Sequence, residues 1–182
     1  MQKMKVILAI ILSWFAGSAE STEQMQLKTI IERDAWTLSE GTHSGKPLLI
    51  RFRDELGSKK PNIKGYANLV TVTWTYDGGE SGMPDSKSSD AMEVFENRLI
   101  LAVERDLSAV LSAVATNNNQ REWFFYSKSV QEFGHRLSNM PQERERYPID
   151  ITTEFDPSWS LFFKFYNGAK WQTLTHHSSG TG

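Results

Sequence analysis

Apolar residues recur at every second position in six stretches of the chain and at every third or fourth position in three others. The first spacing is typical of half-buried strands and the second of amphipathic helices. The predicted strands are 35–40, 47–53, 66–76, 109–116, 121–126 and 148–155. The predicted helices begin at Asp90, at Ser127 or Ser129, and at Asp156.

The order of these elements predicts an α+β fold. The first two strands flank the turn-rich residues 41–45 and form an N-terminal β-hairpin. From Tyr66 to Phe155 the order is strand, helix, strand, strand, helix, strand, which is the ferredoxin-like βαββαβ order, with both helices expected on one face of the sheet. A C-terminal aromatic helix follows, and a hairpin at Asn167-Gly168 is the alternative for that last piece.

Capping residues set the expected helix boundaries. Asp90 with Glu93, and Ser129 with Glu132, have the spacing of capping boxes. At the C-terminal helix, Asp156 is expected to cap. The first helix also carries a polar stripe, which predicts a solvated outer face; its members are Glu96, Arg98 and Arg105.

The fifth predicted strand is apolar on both sides. Trp123 and Phe125 point one way, while Phe124 and Tyr126 point the other. A bare face would leave aromatic area in water at a cost of about 25 cal/mol per Å². We therefore expect the N-terminal strands or the C-terminal aromatic segment to cover the face that the two helices leave open.

The N-terminus has the order of a secretory signal peptide. Lys3 and Lys5 precede an apolar run from residue 6 to 17, and small residues follow up to Ala19. The run is too short to span a bilayer, so we expect cleavage after Ala19, no membrane attachment afterwards, and a periplasmic or secreted protein. A buried N-terminal helix is the alternative. The expected organisation is a signal peptide (1–19), a polar lead-in (20–33), a single α+β domain (34–175) and a flexible tail (176–182).

Composition narrows the functional classes. Cleavage leaves 163 of the 182 residues, which suits one domain. The remaining 18 basic and 22 acidic residues give a mildly acidic protein, which argues against a nucleic-acid partner. The chain has no cysteine, so disulfides, thiolate nucleophiles and zinc-thiolate sites are excluded.

Several short motifs together resemble a known family. They include Trp36, the strand 47–53, the segment Arg121-Glu122-Trp123-Phe124-Phe125-Tyr126 and Asp156-Pro157-Ser158-Trp159. These pieces resemble a bacterial family of unknown function, number 695, over most of residues 34–167. The resemblance implies a fold and almost nothing about chemistry. Members of the family are often cytoplasmic, and their layout is similar to ferredoxin-like regulators that bind other proteins.

Known catalytic and cofactor motifs are missing from the sequence. None of the four histidines has a partner at metal-ligand spacing, and each is expected at the surface: His43, His135, His176 and His177. The chain has no G-x-S-x-G nucleophile motif and no phosphate-binding or dinucleotide-binding glycine pattern. We therefore expect no cofactor and no metal.

Three carboxylates on or near one strand are candidates for hydrolytic chemistry. Asp150, Glu154 and Asp156 lie close together in sequence, and paired carboxylates can hydrolyse a sugar by general acid–base catalysis. The competing interpretation is structural. Asp156 then caps the C-terminal helix, and the other two acids face solvent.

Three arginines beside aromatic strands are candidates for ligand binding. Arg51 and Arg53 share a strand face, and Arg121 opens the aromatic strand. Arginines next to aromatic rings suit carboxylate or phosphate ligands. The aromatic members of this candidate site are Trp123, Tyr126 and Trp159. The competing interpretation is internal ion pairing, with Glu122, Glu154 or Asp156 as partners, and ordinary core packing of the rings.

These observations favour an exported, non-enzymatic binding or protein-interaction module. Its partner would be another protein or a small anionic ligand. A carboxylate-dependent hydrolase acting outside the cytoplasm is the alternative. The sequence favours no particular oligomeric state.

Overall fold

The computed structural model describes residues 24–61, 63–143 and 146–178, with side chains described as far as residue 169. The predicted signal peptide lies outside the described residues. Within them, the chain forms one six-stranded sheet and five helices. The strands are β1 (Thr37–His43), β2 (Lys46–Phe52), β3 (Asn68–Thr75), β4 (Ala109–Asn117), β5 (Gln120–Ser127) and β6 (Ile149–Phe155). The helices are α1 (24–33), α2 (Asp54–Ser58), α3 (Ser86–Val103), α4 (Val130–Asn139) and α5 (Ser160–Ser178).

The sheet is antiparallel throughout, and its strand order is β1-β2-β4-β5-β3-β6. The α+β class is thus confirmed. β1 and β6 are the two edge strands. None of the helices in the described part of the chain is long and apolar enough to cross a membrane.

The predicted N-terminal hairpin is present. Ser44 and Gly45 connect β1 to β2 with φ angles of 53° and 76°, which suits a two-residue turn with both central residues in the left-handed region. The hairpin does not cover the sheet. It extends the sheet instead, because β2 pairs with β4. His43, expected in the turn, is the last residue of β1.

One face of the sheet is covered by α3 and α4. Phe95 and Leu99 of α3 and Phe133 of α4 are buried against it. Trp123 and Phe125 of β5 point into the same core and are fully buried. Both α3 and α4 therefore lie on one face of the sheet.

The opposite face is covered by α5, with α1 and α2 beside it. Trp159 and Phe162 are buried there against Tyr126. Residues 24–33, expected only as part of a polar lead-in, form a helix that buries Leu27 and Ile30 in the same cluster. The aromatic segment after β6 is helical, so the hairpin alternative at Asn167-Gly168 is wrong.

Two helix starts differ from the sequence expectation. Asp85, not Asp90, is the N-cap of α3, and its carboxylate accepts a hydrogen bond from the Ser88 N–H at 2.7 Å. α5 begins at Ser160, four residues after Asp156, where the sequence predicted its start. The cap of α4 is Ser129, whose hydroxyl accepts from the Glu132 N–H.

Candidate functional site: an arginine and tryptophan cluster beside α3

The sheet separates the predicted ligand-binding residues into two groups. Arg51 lies opposite Val114, and Val114 lies opposite Trp123, so these side chains share the face covered by α3. Arg121 lies two residues from Trp123 on β5 and points to that face as well. Tyr126 packs on the α5 face together with Trp159. The six residues therefore do not form one site.

Arg51 forms an ion pair with Glu96 of α3. The second oxygen of this carboxylate accepts a hydrogen bond from the Trp123 indole N–H at 2.6 Å. Glu96 is only 9% exposed, although its helix stripe was expected to face solvent. That expectation is wrong because Glu96 turns toward the sheet, where Arg51 and Trp123 satisfy both of its oxygens.

Arg121 is half-buried and has a different kind of environment. Its Nε donates to the Thr116 hydroxyl at 3.0 Å, across the β4–β5 pair. Among the described residues, no carboxylate forms an ion pair with it. Burial lowers the pKa of Arg121; the charge of Glu96 raises this pKa and the charge of Arg51 lowers it further. The folded protein therefore holds a cation in a place that disfavours positive charge.

Arg53 has a structural role. Its side chain is 1% exposed and donates to Glu104 at 2.9 Å and to Asp34 at 3.3 Å. Glu104 also accepts the Leu111 N–H at 2.7 Å. Burial raises the pKa of Glu104, while the charge of Arg53 lowers it. The Nε and Nη1 atoms of Arg53 have no hydrogen-bond partner within the described residues.

Trp36 completes the cluster, although it was not among the candidate site residues predicted from the sequence. Its ring centroid lies 4.7 Å from the guanidinium carbon of Arg51 and 4.8 Å from that of Arg53. Its indole N–H donates to Asp34 at 2.8 Å. The ring thus contacts two cations and is held in place from one edge. We refer to Trp36, Arg51, Glu96, Thr116 and Arg121 as the arginine site.

The predicted acid partners of the arginines are not the ones observed. Glu122 follows Arg121 on β5 and therefore points to the opposite face. Glu154 is exposed on the edge strand β6. The observed partners come from α3 and from the segment before β1; they are Glu96, Glu104 and Asp34.

Asp156 anchors the start of α5. Its carboxylate accepts hydrogen bonds from the N–H groups of Ser160 at 2.8 Å and Leu161 at 3.1 Å, and from the Tyr126 hydroxyl at 2.7 Å. The rings of Tyr126 and Trp159 stack at 4.0 Å. Burial alone would raise the pKa of Asp156, but these donors outweigh burial and lower it. Burial and the bond to Asp156 also raise the pKa of Tyr126.

The other two candidate acids are solvent-facing. Asp150 and Glu154 lie on the same side of β6, and both are exposed. Four residues along a strand separate their Cα atoms by about 13 Å. With Asp156 committed to the cap, the three carboxylates do not converge on one cleft.

The part of the chain that the structure describes has no group of three His, Asp or Glu side chains suited to a metal ion. His43 and His135 are both exposed. The side chains of His176 and His177 lie beyond the described side chains.

Comparison with known proteins places the chain in a family. A family model described as a family of unknown function (DUF695) matches residues 34–166. The chain belongs to the DUF695 family. No curated protein and no solved structure gives a significant match. In this DUF695 protein the matched range contains the whole arginine site and the Asp156 cap.

The role of Asp156 in this DUF695 protein predicts a pH-dependent stability. Because the pKa of Asp156 is lower in the folded than in the unfolded chain, its contribution is present above the unfolded pKa of about 3.9 and is lost as the pH falls through the folded pKa. We expect Asp156→Asn to lower the free energy of unfolding at pH 7 by about 1–3 kcal/mol, and by less at pH 3. Urea denaturation at the two pH values measures this.

The matched control is Asp150→Asn, which removes the same charge from an exposed strand position. We expect it to change the stability by less than about 0.5 kcal/mol at either pH. Equal effects of the two substitutions at pH 7 would contradict the assigned cap.

Proposed function

We propose that this chain is an exported, non-enzymatic binding module that takes up a small anionic ligand at the arginine site. The observation that carries the proposal is the state of Arg121. Its guanidinium is half-buried, is oriented by one hydrogen bond to Thr116, and has no acidic partner among the described residues.

Burying a cation without a counter-charge is unfavourable, because the protein interior solvates charge poorly. Glu96, whose charge acts on Arg121, already accepts from Arg51 and Trp123. An external anion would supply the missing negative charge. Arginine is suited to this task because its planar fork binds carboxylate or phosphate oxygens in pairs.

The carboxylate-dependent hydrolase is the weaker alternative. Hydrolysis by a carboxylate pair requires two groups about 5–9.5 Å apart in one cleft. Asp150 and Glu154 are exposed, and the distance between them along β6 is larger than this. Asp156 is 7% exposed, and its carboxylate already accepts hydrogen bonds from Tyr126, Ser160 and Leu161. These positions favour binding over hydrolysis.

We also propose that β3 to β6 form a ferredoxin-like unit to which the β1–β2 hairpin has been added at one edge. Support comes from the strand order β4-β5-β3-β6 and from the two helices that share one face. In this arrangement the arginine site lies where the added hairpin meets the unit, since Arg51 belongs to β2 and Arg121 to β5.

Export is supported by the lysines and the apolar run before Ala19. We expect N-terminal sequencing of the protein recovered outside the cytoplasm to begin at Glu20. Recovery of the uncleaved chain from the cytoplasm alone would contradict export.

Substitution of Arg121 tests the binding proposal. In a buffer of low anion content we expect Arg121→Gln to melt at or above the wild-type temperature, because the variant loses a half-buried cation that forms no ion pair. We expect acetate, phosphate or sulfate at millimolar concentration to raise the melting temperature of the wild type and not that of the variant. Differential scanning fluorimetry measures both effects.

Arg105→Gln is the control, since it removes an equal charge from an exposed turn after α3. It should keep the anion response of the wild type. The proposal fails when no anion stabilises the wild type, or when the Arg121 and Arg105 variants respond alike.

A further inference from the structure

We propose that the ligand of the arginine site is a monocarboxylate whose apolar part lies over Leu49 and Leu38. This inference rests on the proposed function, since it names the ligand class of the same site. Three properties of the site carry it, namely its net charge, the donors that remain on Arg121, and the apolar surface beside the arginines.

The charge of the site matches one negative charge. Within the arginine site, Arg51 and Arg121 bring two positive charges and Glu96 brings one negative charge, so one positive charge remains; the adjacent Arg53 is engaged by Glu104 and Asp34. A monocarboxylate would balance it. A phosphate monoester carries about −1.5 to −2 at neutral pH, and its excess charge would lie close to the Glu96 carboxylate.

A further acid stands on the same sheet face. Glu40 of β1 lies opposite Leu49, and Leu49 lies opposite Thr116, which pairs with Arg121. Three strand spacings put Glu40 about 14 Å from Arg121. At that distance physiological salt screens its charge, so Glu40 does not neutralise Arg121 and leaves the charge of the arginine site unchanged.

The hydrogen-bond donors left on Arg121 suit a planar ligand. Its Nε is used by Thr116, which fixes the plane of the guanidinium. The two Nη groups remain, and together they present one edge with two parallel N–H bonds. A carboxylate accepts from such an edge with both of its oxygens.

Apolar surface lies directly beside these charges. Leu38 of the edge strand β1 lies opposite Arg51 and is 58% exposed. Leu49 is half-buried. It lies between Glu40 and Thr116 in the series of cross-strand neighbours that ends at Arg121. A ligand held by its carboxylate at Arg121 therefore meets leucine side chains toward the hairpin. An inorganic anion would leave this surface unused.

A series of straight-chain carboxylates tests the inference. Isothermal titration or NMR titration of the full chain with acetate, butanoate, hexanoate and octanoate gives dissociation constants under one set of conditions. Full burial of a methylene corresponds to about a fourfold gain in affinity, so partial burial over two leucines should give roughly a two- to threefold gain per methylene. Hexyl phosphate should bind more weakly than hexanoate.

Two variants separate the head from the tail of the ligand. Arg121→Gln should lose binding of every member of the series. Leu38→Ser should keep the affinity for acetate and lose most of the gain between butanoate and octanoate. Leu101→Ser is the matched control, because Leu101 is 69% exposed on α3 and outside the arginine site, and this variant should behave as the wild type.

The outcomes distinguish the two proposals. Anions that bind through Arg121 with no dependence on chain length, or with a preference for hexyl phosphate, overturn the inference and leave the binding function standing. An unchanged series in Leu38→Ser also overturns the inference. Absence of binding by all the anions overturns both.

Discussion

The buried ion pair between Arg53 and Glu104 determines how α3 lies against the sheet. Arg53 follows β2 directly, and Glu104 is the C-terminal cap residue of α3. Glu104 also accepts the Leu111 N–H, and the Arg53 N–H donates to the Ser112 carbonyl, where the β4–β5 register shifts. The Glu104 carboxylate therefore links the C-terminal end of α3 to the end of β2 and to the irregular part of β4. Such a pair adds little net stability, but leaving one member alone in the core is costly.

The position of the arginine site depends on the ion pair between Arg53 and Glu104. With the end of α3 held beside β2, Glu96 of the same helix meets Arg51 of the same strand. The apolar side of α3 meanwhile packs on β3 and β5. Three acids beside the end of the hairpin are then engaged, Glu96 with Arg51 and Trp123, and Glu104 and Asp34 with Arg53. The remaining cation, Arg121, is the one that no carboxylate contacts among the described residues, and an anionic ligand would supply that contact.

Local periodicity predicted much of this fold because each strand and helix has a face to bury. The hairpin, the order of elements and the need to cover both faces of β5 all follow from short-range pattern. Strand alternation also indicated that the side chain of Tyr126 points to the other face of the sheet from those of Arg121 and Trp123. The predicted ligand-binding set nevertheless included all three residues. The spacing of Leu27, Ile30 and Ile31 likewise indicated the helix before β1.

Other features depend on pairings that no local pattern contains. From its helical position alone, Glu96 was predicted to face solvent. Its contacts with Arg51 and Trp123, which are distant in sequence, place it against the sheet instead. The hairpin joins the sheet because β2 pairs with β4, and the strand pattern of the hairpin is equally compatible with covering a face. The partner of Arg53 lies 51 positions away. Ion pairs between residues so far apart in the sequence depend on the topology of the fold. The members of the arginine site could therefore be identified only from the structure.

The most direct test of this account is a double-mutant cycle between Arg53 and Glu104. The four proteins are the wild type, Arg53→Met, Glu104→Gln and the double variant, and urea unfolding gives the stability of each. Glu104→Gln keeps an acceptor for the Leu111 N–H. We expect each single variant to lose about 3–5 kcal/mol and the double variant to lose clearly less than the sum, with a coupling energy of about 2–3 kcal/mol. Additive losses, with a coupling energy below about 0.5 kcal/mol, would contradict the claim that this pair positions α3 and the arginine site.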